Sequence, residues 1–238
     1  MKLTADLILS SPSHINASMD HELDLRANKI PSIENLGATK DLYDAIDLTD
    51  NEINSLGNFP LLPRLKRLFL GNNRIRYIAP NLHTTIPNLN TLVLTNNYLE
   101  ELVDLEPLKN LKFLESLIII GNPVSRNSNF RSWIIYRFPQ LRLLNLTRIK
   151  KSERIASLSL YETQSSELSA LANSILQVLP TNTFEPGQGF SDENTNDTSD
   201  SMVQDNSESE EIRKKAINAM ANVQASSIES AIISSQNI

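Results

Sequence analysis

LKRLFLGNNRI, residues 65–75, sets leucine at its first, fourth and sixth places, asparagine at the ninth and isoleucine at the eleventh. The frame returns in full, with aliphatic residues at the same places, at Leu89 to Leu99 (LNTLVLTNNYL) and at Leu114 to Val124 (LESLIIIGNPV). Two earlier segments fit all but the leading leucine: Leu23, Leu25, Asn28 and Ile30, then Ile46, Leu48, Asn51 and Ile53, the second led by Tyr43. The asparagines Asn28, Asn51, Asn73, Asn97 and Asn122 follow one another at intervals of 23, 22, 24 and 25 residues. One match to such a frame arises easily by chance; five in register do not.

A period in this range is that of the leucine-rich repeat. Each L-x-L centre is one short strand with alternate side chains turned inward. Such a unit cannot bury its apolar face alone, so units stack side by side into a parallel sheet over a continuous core. The chain turns sharply after each strand and leaves backbone groups short of partners. A buried carboxamide both donates and accepts, so asparagines in register predict a ladder that ties neighbouring coils together. The expected fold is therefore α/β: a right-handed leucine-rich-repeat solenoid of about five repeats, its parallel sheet on the concave face, with a cap at each end. Residues 1–164 are assigned to it, and residues 165–238 to an acidic, low-complexity, largely disordered tail with possible short helices.

A solenoid needs closed ends. Thr4 is placed to cap a short helix running to Leu9. At the other end Trp133, Ile134, Ile135 and Phe138 suit a closing helix, and Leu141, Leu144 and Leu146 a last strand; the only tryptophan is assigned to core packing. Beyond, Leu168, Leu171, Ile175 and Leu176 stand at helical spacing, as do Ile212, Ile217, Met220, Val223 and Ile228. Both segments read either as partner-docking helices or as loosely ordered tail.

Composition narrows the chemistry. The 238 residues contain no cysteine, which excludes a disulfide framework, a cysteine-ligated metal and a thiol nucleophile. The net charge of −6 is unevenly spread: residues 1–164 hold 19 Lys+Arg against 17 Asp+Glu, whereas residues 165–238 hold 3 against 11. Neither part has the strong basic excess of an autonomous nucleic-acid binder. No apolar run approaches the ~20 residues of a membrane helix. His14, His21 and His83 are scattered, and no phosphate-binding glycine loop is present. No catalytic residue, metal site or cofactor is assigned, and the chain is read as a non-enzyme.

The frame also says which side chains face the concave side. They are Glu22, Asp24 and Arg26; Ala45, Asp47 and Thr49; Arg67, Phe69 and Gly71; Thr91, Val93 and Thr95; and Ser116, Ile118 and Ile120. The first coils are acidic, and Phe69, Val93, Ile118 and Ile120 form an apolar strip that fits a single partner helix. The competing expectation is that the C-terminal cap folds over Ile118 and Ile120. A basic cluster, Arg148, Lys150, Lys151 and Arg154, follows the last strand and reads either as a solvated face or as phosphate contacts that position RNA without reading it.

Several runs go beyond generic repeat grammar: MKLTADLI, ELDLRANKIPSIENLGATKDLYDAIDLTDNEI, FPLLPRLKRLFLGNNRI, LTNNYLEELVDLEPL, GNPV and YRFPQLRLLNLTRIKKSER. On these, over about residues 1–160, the sequence resembles the A-prime proteins of the U2 small nuclear ribonucleoprotein, in a fungal version. The resemblance implies a nuclear, non-catalytic spliceosome component acting in mRNA splicing. Its partner would be an RNA-recognition-motif protein, the B-double-prime protein, with one helix of that partner in the concave groove. The pair would bind a stem-loop of U2 snRNA, read mostly by the partner, among other spliceosomal proteins and away from any membrane. Carried over, the groove residues are Arg26, Asp47, Arg67, Phe69, Thr91, Val93, Ile118 and Ile120, and the RNA backbone contacts are Arg148, Lys150 and Lys151. Two features depart from the family: the tail is acidic where animal members carry a basic one, and Thr91, Thr95 and Ser116 are too small for groove salt bridges. The alternative of a different class is a leucine-rich regulatory or adaptor subunit of an enzyme such as a protein phosphatase, for which the basic cluster would be dispensable.

Overall fold

Every L-x-L centre forms a strand of a few residues, and the strands align in the register that the repeat frame dictates. The computed structural model describes residues 1–163 and 167–178. In chain order the regular elements are α1 (Ala5–Ser10), β1 (Ser13–Ile15), β2 (His21–Asp24), β3 (Ala45–Asp47), β4 (Ser55–Leu56), β5 (Arg67–Phe69), β6 (Tyr77–Ile78), α2 (Leu82–Thr85), β7 (Thr91–Val93), β8 (Ser116–Ile118), α3 (Phe130–Arg137), β9 (Leu143–Leu144), β10 (Thr147–Arg148), α4 (Lys151–Tyr161) and α5 (Ala170–Leu176). One eight-stranded sheet runs β1-β2-β3-β5-β7-β8-β9-β10, and β4 pairs with β6 separately. The interior strands are parallel, and each end is closed by an antiparallel hairpin, β1 with β2 and β9 with β10.

Leu23, Ile46, Leu68, Leu92, Leu117 and Leu144 stand opposite one another across this sheet and are buried. Two residues on, Leu25, Leu48, Leu70, Leu94 and Ile119 form a second fully buried row. The return segments, 3-10 turns at Leu36–Thr39, Leu102–Asn110 and Pro123–Arg126 and the short α2, add Leu36, Leu82, Leu102, Leu105, Leu108 and Val124 to the same core.

The asparagine ladder ties the coils. Asn51, Asn73, Asn97 and Asn122 are buried. Each Oδ1 accepts a backbone N–H of the preceding coil: Ile30 N to Asn51, Ile53 N to Asn73, Ile75 N to Asn97 and Leu99 N to Asn122. Each Nδ2 donates to carbonyls of the preceding coil and of its own. The first asparagine corrects the expectation. Asn28 is only half buried, and its Nδ2 reaches no further than Arg26 O, because no coil precedes it. A sixth rung is supplied by Asn145, whose Oδ1 accepts from Ile119 N at 2.8 Å.

The residue before each of the five frame asparagines turns the chain through the left-handed region: φ is 57° at Ala27, 59° at Asp50, 54° at Asn72, 53° at Asn96 and 82° at Gly121. Asn and Gly take that conformation at least cost. At Gly121 a second constraint applies, since a Cβ there would collide with Asn96 Oδ1.

Both caps form. Thr4 Oγ1 accepts from Leu7 N and starts α1. At the far end Trp133 is fully buried and meets Tyr161 of α4 edge-on, with ring centroids 5.1 Å apart. Tyr161 OH and Ser132 Oγ lie 2.8 Å apart, and Arg131 holds Glu153 at 2.8 Å. The expected domain boundary moves. The folded body does not stop at residue 164, because α5 packs on α4 and on the 102–110 segment, burying Ala172 and Ile175 in the same core. Leu168, Leu171 and Leu176 of the helix read from the sequence also face that core. The expected polar tail and the helix over 208–234 lie outside the described residues.

Candidate functional site

Parallel register places the outward-facing side chains in rows that run across the strands. The first row is Glu22, Ala45, Arg67, Thr91, Ser116 and Leu143; the second is Asp24, Asp47, Phe69, Val93 and Ile118. The pairing continues past the strands, with Leu25 N on Asp47 O, Leu48 N on Phe69 O, Leu70 N on Val93 O and Leu94 N on Ile118 O. A third row, Arg26, Thr49, Gly71, Thr95 and Ile120, follows by alternation.

Every predicted groove residue lies in these rows. Phe69, Val93 and Ile118 are half exposed and Ile120 is 43% exposed. The cap does not fold over them. It extends the sheet instead, and Leu143 joins the apolar strip beside Ser116. Three positions of the concave frame differ from expectation: Ala45, Gly71 and Glu22 are buried. Glu22 accepts from Asn16 Nδ2 at 2.8 Å, so the N-terminal hairpin folds against it.

The acidic end is bound up with arginine. Arg26 meets Asp24 at 2.6 Å and Asp47 at 3.6 Å, and its hydrogen bond holds the Asp24 carboxyl below the usual range. Two carboxylates around one guanidinium leave a net negative charge. Arg67 turns to Asp20 at 2.9 Å. Asp44, just below the sheet edge, pairs with both Arg64 at 3.1 Å and Lys66 at 3.2 Å. The Arg64 hydrogen bond, helped by His21 N–H and Lys66 and opposed by burial, lowers the Asp44 pKa to about 2. Sequence reading missed Asp20 and Asp44, which stand two places before Glu22 and one place before Ala45.

The basic cluster divides. Arg148 on β10, Lys150 at the start of α4 and Lys151 in its first turn are exposed, with no ion pair among the described residues. Arg154 is half buried and donates to Leu141 O, so it ties α4 to the last coil. The Lys150 N–H donates to Glu153 Oε2, whose pKa falls to about 2, mainly through its hydrogen bond with Arg131. No group of three or more His, Asp or Glu able to hold a metal occurs among the described residues, and no described helix is long and apolar enough to cross a membrane.

Comparison with known proteins follows the same outline. A leucine-rich repeat family model matches residues 1–175, reaching into α5. The U2 small nuclear ribonucleoprotein A′ of Aspergillus fumigatus is 49% identical over 189 residues, covering 79% of this chain and 74% of the relative. The Homo sapiens protein of the same name is 46% identical over 190 residues, covering 80% of this chain and 73% of the relative. Among solved structures, a chain of the Drosophila melanogaster SNF/U2A′ complex superposes with a TM-score of 0.68 at 49% identity, over 70% of this chain and 95% of that one.

Proposed function

Because the chain belongs to the U2 small nuclear ribonucleoprotein A′ family of leucine-rich-repeat proteins, and so is a component of that particle, we propose that it is a non-catalytic nuclear scaffold for pre-mRNA splicing. Its concave sheet receives one helix of an RNA-recognition-motif partner of the B-double-prime type, and its C-terminal cap steadies a U2 snRNA stem-loop held mainly by that partner.

The observation that carries this reading is the apolar row on the sheet. Phe69, Val93 and Ile118 are consecutive rungs, so they repeat at ~4.8 Å, the spacing of neighbouring strands. An α-helix laid across the strands repeats its contact face every ~5.4 Å. Helix turns and strand rungs therefore stay in step over the length of the row, and each rung meets one side chain of the visitor. The Asp24–Arg26–Asp47 group at one end of the rows favours a basic side chain on the same helix. A relative of this chain crystallised as the SNF/U2A′ complex supports a partner of that kind.

Arg148, Lys150 and Lys151 are exposed cations of the cap with no ion pair among the described residues, suited to RNA phosphates, which position without specifying sequence. The test separates the two surfaces. Phe69→Asp abolishes pull-down of the B-double-prime partner and leaves the thermal melt unchanged. Lys150→Glu with Lys151→Glu keeps the pair but weakens its stem-loop affinity at low salt. Normal partner capture by the first variant refutes the groove, and unchanged RNA affinity in the second refutes the cap contact.

A further inference from the structure

We propose that the cleft between Pro63 and Phe113, on the sheet edge where the strands begin, binds one unpaired ribonucleotide. The cleft holds about 330 Å³ and is lined by Pro63, Lys66, Arg67, Asn88, Asn90 and Phe113. The inference stands on the chemistry of this edge and not on the groove reading.

The first observation is the ring. Phe113 is 58% exposed, although the core is aliphatic and could have taken it. It lies three residues before β8, and the same place in the other coils is filled by Leu42, Arg64, Asn88 and Gln140. The register therefore puts the phenyl ring in a row of otherwise variable, outward side chains, where it packs nothing that the fold needs. An exposed aromatic face beside a cleft is a platform on which a nucleobase stacks.

The second observation is the pair of carboxamides below the ring. Asn88 Nδ2 donates to Pro63 O at 2.8 Å, and Asn90 Nδ2 donates to Phe113 O at 3.4 Å. Both amides are thus oriented by the walls of the cleft. Asn88 keeps its Oδ1 and its second amide hydrogen for a visitor, the donor and acceptor pair that reads a base edge. Asn90 Oδ1 accepts from Thr91 Oγ1 at 3.2 Å and so helps to fix the floor.

The third observation is charge. Lys66 is exposed and shares the Asp44 carboxylate with Arg64, at 3.2 Å and 3.1 Å, while Arg64 also has the Asp41 carboxylate beside it. Arg67 is already matched by Asp20. The exposed Lys66 ammonium stands beside the ring and the carboxamides, where it can donate to a phosphate. Ring, carboxamide and cation are the three features that a nucleotide recognises. Pro63 and Phe113 stand two coils apart, about 10 Å, with Asn88 in the coil between them at the bottom of the cleft. An aliphatic side chain of a protein partner would instead meet Lys66, Arg67, Asn88 and Asn90, four polar groups it cannot satisfy.

The test uses the full chain and fluorescently labelled single-stranded RNA heptamers of each base, read by anisotropy at two salt concentrations. Binding of at least one heptamer is expected. Phe113→Ala weakens it about ten-fold, within the range for loss of one stacked base. Phe113→Trp preserves it, and the added indole emission is quenched as RNA binds. Lys66→Ala weakens binding of all heptamers and lowers the salt slope by about 1. Phe69→Asp leaves heptamer affinity unchanged, so failure of the groove reading would not be mistaken for failure of this one. Absence of heptamer binding, an unaltered affinity for Phe113→Ala, an unquenched Phe113→Trp, or binding removed only by Lys150→Glu with Lys151→Glu each overturns the proposal.

Discussion

Asn97→Ala strikes the middle of the ladder, and its cost can be worked bond by bond. The Asn97 carboxamide accepts from Ile75 N at 2.9 Å and donates to Leu70 O, Leu94 O and Thr95 O. The carbonyls do not become orphans: Leu70 O keeps Asn73 Nδ2, Leu94 O keeps Asn122 Nδ2, and Thr95 O keeps Asn72 N–H. The Ile75 N–H has no second partner in the coil and is sealed from water by buried neighbours. One orphaned buried donor costs ~1–3 kcal/mol, and the weakened carbonyls raise the expected loss to about 2–4 kcal/mol. For a body of this size that is a fall of roughly 5–15 °C in Tm. Asn28→Ala is the internal control. Its amide makes only a local bond to Arg26 O, so the expected change is below about 0.5 kcal/mol, as for a surface site. Asn97→Asp keeps the acceptor for Ile75 but points a carboxylate at three carbonyls, so it is worse than alanine at pH 7 and recovers as acid protonates it. Urea unfolding of the full chain, followed by the emission of buried Trp133, measures all three. Equal losses for Asn28→Ala and Asn97→Ala would refute the argument that burial and coil-to-coil bonding, rather than the asparagine itself, set the cost.

Two further predictions follow from the cap and the edge. A chain ending at residue 178 melts like the full chain, whereas one ending at residue 163 loses about 3–6 kcal/mol, because it strips Ala172, Ile175 and the half-buried leucines of α5 from the core; differential scanning fluorimetry separates them, and equal Tm values would show that α5 adds nothing. Asp44 titrates near 2 in the folded chain against an ordinary 3.8, so its contribution is complete above about pH 4 and disappears as pH falls through 2. Asp44→Asn therefore lowers stability at neutral pH and flattens the acid limb of a plot of urea midpoint against pH, leaving the part owed to Glu153. An unchanged acid limb would mean that the Arg64 and Lys66 pairing is not stabilising.

What could be read in the sequence was whatever recurs. The strands, their register, the buried rungs and the outward rows all follow from one spacing, since stacked coils leave each frame position a single environment. Where the spacing ends, so does the reading. Asn28 belongs to the frame but not to the buried ladder, because a rung needs a coil before it. Asn145 does the ladder's work without a full frame around it. The boundary at residue 164 failed for a related reason: α5 carries Leu171, Ile175 and Leu176 at helical spacing, but spacing says only that a helix has an apolar face, not which surface will cover it. The Asp20–Arg67 and Asp44–Lys66 pairs were illegible because each joins residues more than twenty positions apart, and charge in sequence does not say who answers whom. These pairings change the meaning of the site. The three cations near the start of the strands, Arg64, Lys66 and Arg67, are answered by the carboxylates of Asp20, Asp41 and Asp44. The larger free positive surface is thus on the cap, at Arg148, Lys150 and Lys151. The concave sheet presents acid and apolar groups instead. On the proposed reading, a protein helix and an RNA backbone are therefore drawn to different parts of one small solenoid, and both can be held at once.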